Sequence, residues 1–135
     1  PASFLQDGDV VIADTAEDDS VGKVTEILGV GSGKVVSGLH TYACRPLIDL
    51  APGFLGQTLN SHHFHTQVVL KSQGSKVTSI NKPALSTTEV LYPSLPEQQA
   101  IGSYFRSLDA LIDAEQKKLD TLRNLKSALL TQMFV

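Results

Sequence analysis

Hydrophobic and polar positions change their period once along this chain, close to residue 94. Before that point short apolar runs alternate with turn-forming residues. Residues 10–13 (Val-Val-Ile-Ala) follow the turn Asp7-Gly8-Asp9, and residues 39–43 precede Arg45-Pro46. Runs of this length between Gly, Asp and Pro predict β-strands, because a strand needs few residues and the flanking types reverse the chain. A helical stretch is predicted from Pro52, which a first turn tolerates. It passes through Phe54, Leu55 and Leu59 toward Val68 and Val69, with a break near His62. Residues 90–92 predict another strand, ended by Pro93. Strands and helices in irregular order predict an α+β domain rather than a doubly wound sheet.

From Ser94 the pattern is helical. Ser94-Leu95-Pro96-Glu97 supplies an N-cap serine, a glutamate three residues on, and a proline in the first turn, where its missing donor costs nothing. Ile101, Phe105, Leu108, Ile112, Glu115, Leu119, Leu122, Lys126, Leu129 and Met133 then follow at alternating spacings of four and three, and eight of these ten are apolar. This is a heptad seam, widened by Tyr104, Leu111 and Leu125. A helix over residues 97–133 would be roughly 55 Å long, and its apolar face predicts a partner helix. Glu115 and Lys118 interrupt the stripe, as a register device or as a solvated gap. The expected division is therefore a globular domain over residues 1–93 and a spacer or dimerisation helix over residues 94–135.

Composition narrows the function classes. Of 135 residues, 41% are hydrophobic and 19% charged, the balance of a folded domain. No apolar run is long enough for a membrane span and no signal-peptide pattern opens the chain, so a cytoplasmic location is expected. The single cysteine, Cys44, excludes an intramolecular disulfide and a cysteine-rich zinc site, and reads as a small buried hydrophobe. Residues 1–95 carry six Lys or Arg against nine Asp or Glu, and residues 96–135 carry five of each. A lone chain should therefore grip DNA weakly, since phosphate neutralisation supplies most non-specific affinity.

No motif supports catalysis. Gly29-Val-Gly-Ser-Gly33-Lys34 fails as a phosphate loop, because Leu28 stands where the first glycine is needed and Val35 where a Ser or Thr is needed. It reads as a turn between strands. His62, His63 and His65 cluster without further ligand types nearby, so a polar helix surface is favoured over a metal-dependent hydrolase. The acidic stretch from Asp14 to Ser20 reads first as a solvated loop and second as a contact to a cytosine amino group. Residues 73–82 hold Lys76, Lys82 and several hydroxyl or amide side chains, a composition suited to phosphates and base edges. A polar loop of ordinary composition is the alternative.

A resemblance gathers these features. Tyr92-Pro93-Ser94-Leu95-Pro96-Glu97-Gln98-Gln99-Ala100-Ile101-Gly102, followed by the spaced apolar residues up to Phe134, resembles the repeated helical region of type I restriction-modification specificity subunits. Upstream, residues 8–18, 36–41 and 74–80 are similar to target-recognition domains of the same family. The resemblance implies a non-catalytic subunit that reads one part of a bipartite DNA site and recruits methyltransferase and restriction subunits. S-adenosylmethionine, ATP and Mg would belong to those partners, and this chain would hold no cofactor or metal.

It also implies that residues 1–93 are a target-recognition domain incomplete at its N-terminus, in a half-subunit or a piece of a longer chain. The helix would pair with a second specificity half or a second copy through Ile101, Phe105, Leu108, Ile112, Leu119, Leu122, Leu129 and Met133. Lys34, His40, Thr41, Lys76, Ser79, Asn81 and Lys82 are the candidates for the DNA face. The competing reading is a coiled-coil interaction scaffold that never touches DNA, which the acidic balance favours.

Overall fold

The computed structural model describes residues 4–17 and 20–134. Its elements run β1 (Val10–Ala13), β2 (Thr15–Ala16), β3 (Val24–Glu26), β4 (Thr41–Cys44), α1 (Phe54–Leu59), α2 (His62–Lys71), β5 (Thr78–Ser79), α3 (Lys82–Leu85) and α4 (Leu95–Met133). The α+β class with a long C-terminal helix is what the periodicity predicts. Contacts divide the chain into two units, Pro1–Gly102 and Ser103–Val135.

The first unit, the head, is built on an antiparallel sheet of order β3-β1-β4, with a second two-stranded sheet, β2-β5. Because side chains alternate along a strand, Val10 and Ile12 of β1 share one face, and both are buried with Val24 of β3. Leu55, Leu59, Phe64, Val68, Ile80 and Leu85 from the helical side complete that core. Backbone groups at the element ends are satisfied by side chains distant in sequence. Glu26 accepts from the amides of Gly53 and Gly56, each at 2.7 Å, and so caps the start of α1. Asn60, between α1 and α2, exchanges two hydrogen bonds with the Val24 backbone, at 2.9 and 2.6 Å, in the manner of a strand neighbour. The helical stretch is thus broken at Asn60-Ser61, and Ser61 caps α2 by accepting from the Phe64 amide.

Three local expectations differ from the structure. Residues 90–92 are irregular; Val90 packs on the core instead of pairing with a strand. Strand β4 starts at Thr41 rather than at residue 39, because His40 adopts a left-handed backbone with φ 57° and turns the chain. The polar stretch over residues 73–82 ends in α3, where the Asn81 side chain accepts from the Ala84 amide at 2.9 Å and Pro83 sits in the first turn.

The expected domain boundary precedes α4, whereas the head takes in its first two turns. Gln98 is 3% exposed. Its amide oxygen accepts from Ala51 N at 3.1 Å, and its amide nitrogen donates to the Pro93 carbonyl at 2.9 Å. Gly102 is the last residue of the head and lies against the backbone of Pro52 to Phe54. The second unit is the remainder of α4, and its apolar residues, from Phe105 to Met133, are mostly exposed.

Candidate nucleic-acid interface

The chain leaves β1 at Asp14 and changes partner there. Ala13 pairs with Thr41 of β4, while Thr15 pairs with Ser79 of β5. Asp14 joins the two sheets through its own backbone. Its N–H donates to the His40 carbonyl at 3.1 Å, and its carbonyl accepts from Ile80 N at 2.9 Å. The Tyr42 hydroxyl donates to the Ile80 carbonyl at 3.3 Å, a second tie between β4 and the segment leading into α3. His40, Thr41, Ser79 and Asn81, which the sequence separates by some forty positions, are therefore carried on adjoining backbone at one end of the head, while Lys82 follows on α3 with its charge acting on Cys44, at the other end of β4.

Each side chain in this group has a definite state. Thr41 Oγ1 donates to the Gly38 carbonyl at 2.6 Å, closing the turn before β4. The His40 ring is 75% exposed, with Nδ1 3.7 Å from Asp14 Oδ1. Asn81 spends its amide oxygen on the α3 cap, so its amide nitrogen is the group left for an external acceptor. Lys82 lies near enough to Cys44 for its ammonium to counter, in part, the burial that pushes the Cys44 thiol up from its ordinary range. That thiol stays neutral, as a small half-buried hydrophobe would.

Lys76 stands apart from this group by a short hairpin. Gln73 and Ser79 exchange two backbone hydrogen bonds of 2.8 Å, and Lys76 lies on the turn they enclose. Gly74 opens that turn at φ 122°, where a Cβ would overlap the Val77 carbonyl, so only glycine fits. Lys34 is elsewhere. Its ammonium sits 5.4 Å over the Phe4 ring, and the Phe4 carbonyl accepts from Arg45, beyond the opposite end of β4 from His40. Asp18 and Asp19 of the acidic stretch lie outside the described residues. His62 and His63 are exposed on the first turn of α2, and among the described residues no three metal-ligating side chains converge.

Two features carry no signal in the sequence. Asp9 is 3% exposed and forms a two-point ion pair with Arg45, with Nε to Oδ1 at 2.7 Å and Nη2 to Oδ2 at 2.6 Å. The Arg45 guanidinium holds the Asp9 carboxyl below its ordinary value against the opposing effect of burial. An apolar groove of about 450 Å³ also opens beside β4, lined by Cys44, Leu50, Phe64, Leu85 and Val90 with Lys82 on its wall. Pairing partners 36 residues apart and a groove made from four segments leave no periodic trace.

The seam residues of α4 lie along the second unit and the end of the first. Ile101 and Leu108 are half-buried, while Phe105, Ile112, Leu119, Leu122, Leu129 and Met133 are exposed. Glu115 and Lys118, which interrupt the stripe, pair with each other at 3.6 Å on the helix surface.

Comparison with known families adds a match to the type I restriction modification DNA specificity domain over residues 40–124. The chain belongs to that family. The matched residues begin at His40, take in β4, β5 and α3, and run through most of the α4 seam, while Asp14 and strands β1 to β3 precede them. No curated protein matches the chain. Among the described residues of this specificity domain, no helix is long and apolar enough to cross a membrane.

Proposed function

We propose that this specificity domain reads one half of a bipartite DNA site through His40, Thr41, Lys76, Ser79, Asn81 and Lys82. In the same reading the α4 seam packs against a second helix, from another specificity half or another copy of this chain, and the pair recruits methyltransferase and restriction subunits. S-adenosylmethionine, ATP and Mg are the cofactors of those subunits. The observation that carries the reading is that His40, Thr41, Ser79 and Asn81 are brought to one end of the head on adjoining backbone, within the residues the family matches, with Lys82 one residue further on. Hydroxyl, amide, imidazole and ammonium groups together can bond both phosphates and base edges. Lys34 is left out of this face because its ammonium is held over the Phe4 ring.

The helix supports the spacing role. Beyond the two turns that belong to the head, residues 103–133 give a rod of about 46 Å, the length of roughly 14 base pairs of duplex. Two heads on paired rods would then reach two half-sites, and two identical chains about a two-fold axis would read an interrupted palindrome. The exposed seam fits such pairing, since each leucine buried contributes roughly 1.5–3 kcal/mol. The test is selection from a random duplex library by this chain together with its methyltransferase subunit. A two-part consensus is expected; recovery of no sequence preference would leave only the scaffold reading, which the net charge of −3 favours.

A further inference from the structure

The corner where the two sheets meet holds a group that neither the fold nor the cluster explains. Asp14 Oδ1 is buried and has no hydrogen-bond partner among the described residues. An unpaired buried carboxylate oxygen is costly, and such groups in native structures mark a strain reservoir or a functional arrangement. The nitrogen facing it is Nδ1 of His40, at 3.7 Å, beyond hydrogen-bond length but within ion-pair range. His40 is also the only non-glycine residue with positive φ among the described residues, at 57°. A left-handed backbone is uncommon for a side chain and persists only where the surroundings enforce it. Here they do so from both sides, through Asp14 N to the His40 carbonyl and Thr41 Oγ1 to the Gly38 carbonyl. The enforced turn places an imidazole that is 75% exposed with one nitrogen toward the buried Oδ1 of a carboxylate that is itself 21% exposed.

We propose that Asp14 is a positioning residue for His40: its carboxylate holds the neutral imidazole as the Nδ1–H tautomer, so that Nε2 faces outward as a hydrogen-bond acceptor for an amino group on a DNA base edge. A carboxylate accepts only, so it selects the ring form that puts a proton on the nitrogen facing it. The other nitrogen then bears a lone pair. In the major groove the amino groups are N4 of cytosine and N6 of adenine, which makes the arrangement a discriminator against guanine and thymine edges. The inference rests on the DNA-reading role proposed for this end of the head.

The tautomer can be read without DNA, which separates the two claims. In mildly alkaline buffer, ring-nitrogen NMR of the full chain should show His40 protonated at Nδ1 and bare at Nε2, with the signal assigned by its loss in His40→Ala. Free histidine favours the opposite form, so an Nε2–H signal in the wild type overturns the proposal outright. In Asp14→Ala no acceptor faces Nδ1, and the ring should revert toward Nε2–H; a ring that stays Nδ1–H likewise overturns it. Should that variant fail to fold, the wild-type spectrum alone decides.

With the methyltransferase subunit present, His40→Ala and Asp14→Ala should each lower affinity for the selected site roughly 5- to 150-fold, the range of one good base contact. The double variant should be no weaker than His40→Ala. A correct tautomer with unchanged selectivity in His40→Ala removes the base-reading part. Absence of any sequence preference in the wild type would instead sink the DNA-reading role itself.

Discussion

Replacing Gly102 by alanine sets two well-separated effects against each other. In an isolated helix the change stabilises by about 0.8–1 kcal/mol, since glycine is a poor helix former. In this protein the added Cβ would lie 2.7 Å from the Pro52 carbonyl oxygen, 3.2 Å from Phe54 N and 3.3 Å from the Gly53 carbonyl carbon. A carbon and a carbonyl oxygen in weak contact sit about 3.3–3.6 Å apart, so something must move by roughly half an ångström or more. The obstacle is backbone, and that backbone is tied. Gly53 N is bonded to Glu26, Phe54 N to the Ala51 carbonyl, and Ala51 N to Gln98 on α4 itself.

Overpacking of a fixed site costs about 1–3 kcal/mol. Straining the Gln98–Ala51 bond adds up to about 0.5–1.5 kcal/mol. After subtracting the propensity gain, Gly102→Ala should destabilise the head by roughly 1–3 kcal/mol, and the larger Gly102→Val should do so more severely. The assay is urea denaturation beside Ser103→Ala, one position on and exposed, where the propensity gain is set only against loss of an exposed hydrogen bond from Arg106 and a change of no more than a few tenths of a kcal/mol is expected. If Gly102→Ala stabilises by about 1 kcal/mol, the start of α4 does not pack on residues 52–54, and the extent assigned to the head is wrong.

Acid should expose the Asp9–Arg45 pair. The folded carboxyl lies below its ordinary value of 3.8, with the Arg45 hydrogen bond as the leading cause. The pair therefore stabilises the fold above that pH, and the contribution is lost as pH falls through the lowered folded value. Asp9→Asn should flatten stability against pH in this acid range, as followed by denaturation midpoints; an unchanged slope would show that the pair contributes nothing. Lys76→Ala and Lys82→Ala should each weaken binding at all duplex sequences and lower the salt slope by about 0.9 for each head that carries the change, as phosphate contacts do. Unchanged affinity in the assembled complex would remove either residue from the face. On the helix, Leu122→Glu puts a charge at the centre of the seam, and sedimentation should show loss of self-association or of assembly, because an unpaired charge cannot be buried there.

The helix was legible because its determinants are local. A proline in the first turn, a heptad of leucines and the absence of breakers beyond Gly102 can all be read within a few residues of one another, and they place α4 to within a residue of its observed start. The head was legible only in class. Val10–Ala13 follows a turn and reads as a strand, yet nothing in the sequence shows that the chain changes partner at Asp14 or that Asn60 substitutes for a strand beside Val24. Those depend on hydrogen bonds spanning tens of residues. His40 illustrates the limit well. It was a candidate contact in the sequence by residue type and resemblance, but the left-handed backbone and the buried oxygen facing it exist only once β1, β4 and β5 are assembled.

The charge balance then takes on a different meaning. Several of the carboxylates that make residues 1–95 acidic are engaged within the head: Asp9 by Arg45, Glu26 by the start of α1 and Asp7 by the Val30 amide. The cations of the proposed face, Lys76 and Lys82, are exposed. Two phosphate contacts per head give a salt slope near −1.8 in log affinity per decade of salt, and two heads on paired helices should give about −3.6. On the proposed reading a single head would then bind weakly at physiological salt, and the seam on α4 would set the strength of binding as well as the spacing of the half-sites. Leu122→Glu, which leaves every residue of the face untouched, should halve the slope measured for the assembled protein on its selected site. A full slope retained by a dissociated chain would mean that the phosphate contacts lie on one head alone, and that the rods do not bring two heads to the same duplex.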